Sequence, residues 1–238
     1  MADYILHKNA TRGHANHGWL DSHHSFSFAG YYDEARMNFG LLRVLNDDIV
    51  IGGMGFGKHP HDNMEIVSIP LSGSLEHKDS TGRHEIIKTG DVQIMSAGSG
   101  IAHSEFNASK SEAVNFLQIW VFPKERNIEP RYEQKNFSKE DRLNKIQTVV
   151  SPKKEDGGVW INQDAWFSLS NLQKGNEVQY TNNLNGNGVY VFVISGEINV
   201  NGQTVQSRDG LGITNSDKLN ITANSDSEFL LIEVPMKF

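Results

Sequence analysis

Short apolar runs separated by Gly, Asn, Asp and Ser make up most of the chain. In the segment 64–100 these turn residues recur roughly every 8–12 residues, a spacing typical of antiparallel sandwiches and barrels. The run EAVNFLQIWVFP at 112–123 is apolar over the length of a strand, which predicts a strand buried on both faces. The pattern therefore predicts an all-β fold.

One further segment follows this pattern, and another interrupts it. FGLLRVLNDDIVIGGMGFG at 39–57 predicts a strand, a turn and a second strand, with the turn at Asn46-Asp47-Asp48. The segment 123–147 is charged and carries two prolines, so we expect an inter-domain crossover with one short helix near residues 139–145. The alternative is a surface loop of one large domain.

The second half of the chain weakly repeats the first. IPLSGSLEH…IKTGDVQI resembles FVISGEINVNGQTVQSRDGLGI, since both read strand, Ser-Gly, strand, tight turn and strand. Two copies of one small antiparallel barrel would explain both the length and the charged segment between them. We therefore predict an N-terminal barrel domain at 1–130 and a C-terminal barrel domain at 131–238.

The histidines are confined to the first half, because all ten lie at or before His103. An ungapped count from the Ser-Gly pairs places Asn182 and Leu184 where the first half has His59 and His61. If the halves are copies, only the first can hold a histidine-based site.

Composition excludes several classes of function. The 238-residue chain has no cysteine, which rules out disulfides and thiolate catalysis and disfavours zinc fingers and iron–sulfur clusters. A net charge of −7 without a Lys/Arg block disfavours a direct nucleic-acid partner. No apolar run is long enough to span a membrane, and the N-terminus lacks a signal-peptide pattern, so we expect a cytoplasmic location and no membrane partner.

Two pairs of residues carry the candidate chemistry. His59 and His61 are two apart, and so are His103 and Glu105. Residues two apart on a strand share one face, so each pair should point the same way. If both segments line one barrel, three imidazoles and a carboxylate converge, a set that suits a divalent first-row metal. Four protein ligands leave an octahedral ion two open positions, which favours catalysis over a structural role.

The glycines at 53, 55 and 57 allow bends or bulges that could turn the first pair inward. Glu65 is the rival carboxylate, but it would lie roughly 13 Å from His61 along a straight strand. It could bind metal only if the chain bends after His61.

The remaining histidines are weaker candidates. His14, His17, His23 and His24 could form a second metal patch, although packing or surface roles are favoured because their spacings suit no single strand face. We interpret His77 as a strand residue that either supports the site or lies on a polar face. We place His84 in a turn.

The motifs that surround these residues are similar to those of a known family. Gly53-x5-His59-x-His61-x3-Glu65 resembles the first cupin motif, and the segment 90–107 resembles the second, with Gly98 where cupins usually carry proline. RGHANHGWLDSHHSFSFAGYYD, HPHDNMEIV…GSLEHKDSTG, GDVQIMSAGSGIAHSE and PRYEQ resemble the pirin family of the cupin superfamily. The resemblance is closest to bacterial pirin-like proteins described as quercetinases.

The resemblance implies a bicupin, that is two double-stranded β-helix barrels with a metal in the N-terminal one. The family's ligands fall on His59, His61, His103 and Glu105. Iron is the metal that the resemblance implies first, with Mn, Ni, Cu, Co and Zn as alternatives.

The implied activity is a metal-dependent dioxygenase that cleaves a flavonol such as quercetin with O₂, with Glu105 as the base for the 3-hydroxyl proton. Met37, Phe39, Met54 and Phe56 are candidates for an apolar mouth around this flavonoid-like substrate. The alternatives are a non-enzymatic, metal-dependent regulator with a protein partner, as pirin is in animals, and a cupin enzyme acting on another small molecule.

Overall fold

The computed structural model describes residues 2–237, which form strands, four short 3₁₀ turns and connecting loops. The strands of the first half are β1 (Asp3–His7), β2 (Gly13–Asn16), β3 (Leu20–His24), β4 (Leu42–Val50), β5 (Gly55–His61), β6 (Glu65–Ser72), β7 (Ser74–Asp79), β8 (His84–Lys88), β9 (Asp91–Ser96), β10 (Ile101–Asn107), β11 (Val114–Val121) and β12 (Arg131–Asn136). Those of the second half are β13 (Gln147–Ser151), β14 (Val159–Trp160), β15 (Trp166–Leu172), β16 (Glu177–Thr181), β17 (Asn187–Ser195), β18 (Glu197–Val200), β19 (Gln203–Gln206), β20 (Gly210–Thr214), β21 (Lys218–Ala223) and β22 (Ser227–Pro235). The 3₁₀ turns are Asn9–Thr11, Glu34–Arg36, Glu140–Arg142 and Lys154–Asp156.

The two halves repeat one strand order, which confirms the predicted all-β fold of two barrels. In the first half a seven-stranded sheet, β12-β9-β6-β11-β4-β3-β2, accompanies a four-stranded sheet, β5-β10-β7-β8. In the second half the corresponding sheets are β1-β20-β17-β22-β15-β13-β14 and β16-β21-β18-β19. The eight strands β4 to β11 therefore correspond in order to β15 to β22. The predicted linker helix is reduced to the single 3₁₀ turn Glu140–Arg142.

Two strands lie on the far side of the predicted domain boundary at residue 130. β12 pairs with β9 of the first sheet, and β1 pairs with β20 of the second. Each one covers a sheet edge whose peptide groups would otherwise be unpaired. The division into 1–130 and 131–238 stays a prediction. Each of these two parts contributes one strand to the seven-stranded sheet of the other part.

The turn predicted at residues 46–48 is wrong, because β4 runs without interruption from Leu42 to Val50. Two of the polar side chains of this strand, Asp47 and Asp48, are buried with partners. Asp47 accepts a hydrogen bond from Arg208 Nη1 at 2.9 Å, and Asp48 accepts one from Ser22 Oγ. These long-range partners override the local turn preference of Asn and Asp.

The largest apolar core lies between the two seven-stranded sheets rather than inside either barrel. Val67 and Leu117 of the first sheet share it with Tyr190, Phe192 and Leu230 of the second. Another core fills the interior of the second barrel. Among the described residues, the first barrel holds two smaller apolar clusters, which leaves room for polar side chains and a cavity. In the part of the chain that the structure describes, no helix has the length and apolar character needed to cross a membrane.

Candidate metal centre

Three of the predicted ligands meet at one end of the first barrel. β5 and β10 are antiparallel neighbours, and His59 lies directly opposite His103. The ring centroids are 4.5 Å apart for His59 and His103, 5.0 Å for His61 and His103, and 4.8 Å for His59 and His61. One ring nitrogen from each of the three lies within 4.8 Å of the others. The H-x-H spacing thus places both imidazoles on one face, as the sequence predicts.

A β-bulge in β5 sets the orientation of the first pair. The register shifts so that His103 faces His59 while Glu105 faces Phe56, which gives β5 one extra residue at this point. His59 Nδ1 donates to the carbonyl of Gly57, within the bulge, at 2.8 Å. This bond places the proton on Nδ1 and leaves His59 Nε2 as a bare lone pair, the form in which imidazole binds a metal.

His103 is held by a chain of ring nitrogens that ends on a carboxylate. His77 Nε2 lies 3.1 Å from Asp79 Oδ2, and His77 Nδ1 lies 3.5 Å from His103 Nδ1. If Asp79 accepts the His77 Nε2 proton, His77 Nδ1 is free to accept the Nδ1 proton of His103. His103 Nε2 is then bare, and it is buried without a hydrogen-bond partner among the described residues. An orphaned imidazole nitrogen beside two others fits a divalent metal.

Burial keeps the imidazoles of His61 and His103 neutral. Loss of solvent, followed by repulsion from His59, lowers the pKa of His61 to about 4. The pKa of His103 is also lowered, first by burial and then by His59, His61 and His77. Neutral rings present lone pairs to a cation at neutral pH, so no proton has to be displaced when metal binds.

Glu105 lies beside His103 but belongs to a second triad. One carboxylate oxygen is within 4.8 Å of ring nitrogens of both His77 and His103, so the two triads share His103. Ser68 Oγ donates to Glu105 Oε1 at 3.2 Å, and Gln118 Nε2 donates to Oε2 at 3.0 Å. Complete burial raises the pKa of Glu105. The structure thus places Glu105 next to His103, but in a different group of potential ligands from His59 and His61.

Glu65, the rival carboxylate, points elsewhere. Its Oε2 accepts from Ser96 Oγ at 2.8 Å and from the backbone N–H of Asn162 at 3.1 Å, so it bridges the first half of the chain to the second. It is in none of the three clusters of potential ligands among the described residues. The chain does bend after His61, but the bend does not bring this carboxylate to the histidines.

Steric constraints explain why Gly98 stands where cupins usually carry proline. Gly98 has φ +49°, and a Cβ there would lie 2.1 Å from the carbonyl oxygen of Ile128. Proline, with φ fixed near about −65°, could not adopt this conformation. The Gly98 carbonyl accepts from the N–H of Asn63 at 2.9 Å, which ties down the loop after His61.

A cavity of about 430 Å³ opens beside His59 and His61. Its apolar wall contains Trp19, Leu20, Phe28, Phe56 and Trp120. His103 and Glu105 do not line it, whereas Gln118, the partner of Glu105, does. Its volume and its mixed aromatic and polar lining are typical of small-molecule sites.

Only one of the four predicted mouth residues lines this cavity, namely Phe56. Phe39 instead packs against Tyr190 in the core between the sheets, at a centroid distance of 5.5 Å. Met37 and Met54 are exposed. The aromatic residues that do line it come partly from β3 and its flanking loops, and only the pairing of β3 with β4 reveals their position.

The N-terminal hairpin β2–β3 separates the remaining histidines by face. His17 and His24 line the cavity. On the opposite face, the rings of His14 and His23 stack at 4.4 Å, and Asp21 Oδ1 lies 2.8 Å from His14 Nε2. This outer trio forms the third cluster of potential ligands.

His84 begins β8 rather than occupying a turn, and its Nε2 contacts Glu76 Oε1 at 2.7 Å. His77, interpreted as a supporting residue, is buried next to His103.

The second barrel has apolar residues where the first has its cavity. Its interior contains Tyr180, Ile198, Leu219 and Ile221 among other buried side chains. Asn182 and Leu184 lie in the loop after β16, so the ungapped count overshoots the end of that strand.

Known proteins match the chain over almost its whole length. The family model described as Pirin matches residues 6–121, and that of the Quercetinase C-terminal cupin domain matches 148–234. The chain is 44% identical over 234 residues to the quercetin 2,3-dioxygenase of Escherichia coli (strain K12), covering 97% of this chain and 98% of that protein. It is 40% identical over 222 residues to the pirin-like protein of Caulobacter vibrioides, covering 93% and 95% respectively.

A solved structure shows the same architecture. The bacterial pirin YhhW of Escherichia coli, crystallised in complex with nickel(II), aligns with a TM-score of 0.93 and 43% identity, covering 98% of this chain and 99% of that chain. The sequence and structural matches thus cover both barrels. They show that the chain belongs to the pirin family of bicupins.

Proposed function

We propose that this protein is a metal-dependent dioxygenase that opens a flavonol such as quercetin with O₂. The observation that carries the proposal is the cavity of about 430 Å³, which has metal-competent imidazoles at one end and aromatic walls around it. A 44%-identical relative is named quercetin 2,3-dioxygenase, which supports the same substrate class.

His59, His61 and His103 would hold the metal through ring nitrogens, with Glu105 as the fourth ligand. A divalent ion is supported by the donor chemistry and by the nickel(II) complex of the related bacterial pirin. Iron is the metal that we propose for this chain, with Mn, Ni, Cu, Co and Zn as alternatives. When bound, the ion would supply Lewis acidity that favours ionisation of a nearby hydroxyl group.

The residues of the chain would position the substrate and move its proton. Trp19, Phe28 and Trp120 form flat apolar walls suited to an aromatic ligand. Glu105 lies next to the cavity wall, where it accepts a hydrogen bond from the lining residue Gln118, and it is the proposed base for the 3-hydroxyl proton. Burial raises the pKa of this carboxyl group, which makes it a better proton acceptor than an exposed glutamate. Ser68 and Gln118 hold its two oxygens in place.

The test is O₂ uptake with quercetin after the metal-free protein is loaded separately with Fe, Mn, Ni, Cu, Co or Zn. We expect turnover with at least one metal at full occupancy. Absence of turnover with every metal would refute the enzyme proposal and favour the regulatory alternative.

Three variants test the ligand assignment through bound metal measured by atomic emission. His59→Ala should lose metal, and Glu105→Gln should bind it more weakly. Glu65→Gln is the matched control, since Glu65 is equally buried but contacts Ser96 and Asn162 instead. Loss of metal from Glu65→Gln with retention in Glu105→Gln would reverse the choice of carboxylate.

A further inference from the structure

A stripe of polar side chains crosses the inner face of the seven-stranded sheet in the first barrel. His24 on β3 pairs with Asn46 on β4, Asn46 pairs with Gln118 on β11, and Gln118 pairs with Ser68 on β6. Gln118 and Ser68, at one end of the stripe, hold the carboxylate of Glu105. The stripe therefore runs from the candidate metal centre across the sheet to the N-terminal hairpin.

The far end of the stripe is a buried cluster that forms no hydrogen bond with a candidate metal ligand among the described residues. Ser22 Oγ donates to Asp48 Oδ1 and lies 2.8 Å from His24 Nε2. Because the hydroxyl proton is used on Asp48, Ser22 Oγ accepts the Nε2 proton of His24, which leaves His24 Nδ1 as an acceptor. Burial lowers the pKa of His24 to about 4, which agrees with a neutral ring.

This cluster contains polar atoms without partners. His24 Nδ1 and Asn46 Oδ1 are buried and have no hydrogen-bond partner among the described residues. Asp48 is 2% exposed, and its side chain accepts a hydrogen bond from the neutral hydroxyl of Ser22 rather than from a cation. Buried polar atoms are nearly always hydrogen-bonded in native proteins, so two unpaired ones on residues that line a cavity indicate a missing polar group.

The cluster and the metal centre share one cavity. Ser22, His24, Asn46 and Asp48 line it together with His59 and His61. The rest of the lining is mainly aromatic and aliphatic, and the polar side chain of Gln118 connects the cluster to the candidate metal centre. A ligand that fills the cavity therefore meets the polar cluster in addition to the two histidines, within walls that are largely apolar.

We propose that Ser22, His24, Asn46 and Asp48 form a second polar subsite, which binds a phenolic hydroxyl group on the part of the substrate remote from its metal-binding oxygens. The proposal rests on the proposed function and narrows it to flavonols with hydroxyl groups on the pendant ring. A hydroxyl both donates and accepts, so it can pair with the His24 and Asn46 acceptors and with Asp48 in either protonation state. The alternative is that the cluster only stabilises the pairing of β3 with β4.

The experiment compares two flavonols that share the 3-hydroxyl and 4-carbonyl groups. One is quercetin, and the other carries no hydroxyl on the pendant ring. Dissociation constants are measured by quenching of tryptophan fluorescence, and KM and kcat by O₂ uptake, all on the metal-loaded protein. Wild type should bind quercetin more tightly than the other flavonol by roughly tenfold or more, because a built polar site is left unpaired by a ligand that lacks the hydroxyl.

Ser22→Ala and Asp48→Asn should remove this preference. Their dissociation constant and KM for quercetin should rise by roughly tenfold, while those for the other flavonol and both kcat values stay near the wild-type values. His23→Gln is the matched control, because His23 lies on the same strand but on its outer face.

Equal losses for both flavonols would show a structural role and overturn the proposal, as would a wild type without preference. Should Asp48→Asn fail to fold, the smaller change Ser22→Ala decides alone. Should neither flavonol be turned over by any metal form, the proposed function fails. The fluorescence comparison still tests the subsite, which is refuted if neither ligand binds.

Discussion

At the scale of single residues, the candidate centre depends on which nitrogen of each histidine carries the proton. The carbonyl of Gly57 selects the Nδ1 proton of His59. For His103 the selection passes through His77 to Asp79, which lies two ring systems away from the free nitrogen. A carboxylate that contacts no metal can therefore control how well a ligand binds one.

We predict that Asp79→Asn weakens metal binding by roughly 10–100-fold without unfolding the protein. An amide that turns its NH₂ towards His77 would reverse the tautomer of that ring and deprive His103 Nδ1 of its acceptor. Competition with a chromogenic chelator measures the affinity. Glu76→Gln, on the same strand and at the surface, is the control and should match wild type. Equal affinities for Asp79→Asn and wild type would contradict the proposed chain.

At the scale of elements, β5 combines two features. The sequence predicts that its side chains alternate between faces, and its glycines allow the β-bulge without predicting it. Gly55 and Gly57 differ in their surroundings. A Cβ on Gly55 would lie 2.3 Å from the carbonyl oxygen of Glu105, whereas a Cβ on Gly57 would meet nothing within 4 Å. Gly55 therefore allows β5 and β10 to approach each other directly beside the candidate carboxylate.

Gly55→Ala should consequently destabilise the protein by about 1–3 kcal/mol and reduce metal binding, since β10 must shift to relieve the contact. Gly57→Ala is the matched control and should change the stability and the metal binding far less. Urea unfolding gives the free energy, and bound metal is measured after dialysis. A Gly55→Ala variant as stable and as metal-rich as Gly57→Ala would show that the close approach is unimportant.

The strands also show which features could be predicted from the sequence and which could not. Two-residue spacing predicts that His59 shares a face with His61, because alternation is a property of one strand. The turn assigned to residues 46–48 fails because Asp47 and Asp48 find partners far away in sequence. The polar subsite was not predicted for the same reason, since Ser22 and Asp48 become neighbours only when β3 pairs with β4.

At the scale of the whole molecule, the second barrel supports the first through a shared core and through a buried carboxyl group. Glu65 accepts the backbone N–H of Asn162 from the other half of the chain. Burial, the largest effect, raises its pKa to about 7 despite the bonds from Ser96 and Asn162. The folded protein therefore holds a proton that the unfolded chain releases above pH about 4.5.

This linkage gives stability a definite pH dependence. The contribution of Glu65 is fully present below the pKa of the unfolded carboxyl and is lost as pH rises through about 7. Between pH 5 and pH 8 the metal-free wild type should therefore lose about 2 kcal/mol more unfolding free energy than Glu65→Gln, which cannot ionise. Burial also raises the pKa of Asp48, but it does so in both proteins, so the contribution of Asp48 cancels in the comparison. Parallel pH profiles in urea unfolding would contradict the prediction.

The pairing of β1 with β20 also has a consequence during synthesis. Asn9, just after β1, bonds Asp209, just before β20, across 200 residues of sequence. At about 5–20 residues per second, β1 leaves the ribosome roughly 10–40 s before its partner strand. β1 can thus be placed only after β20 has been made, and the second sheet cannot be completed while the nascent chain contains only the first barrel.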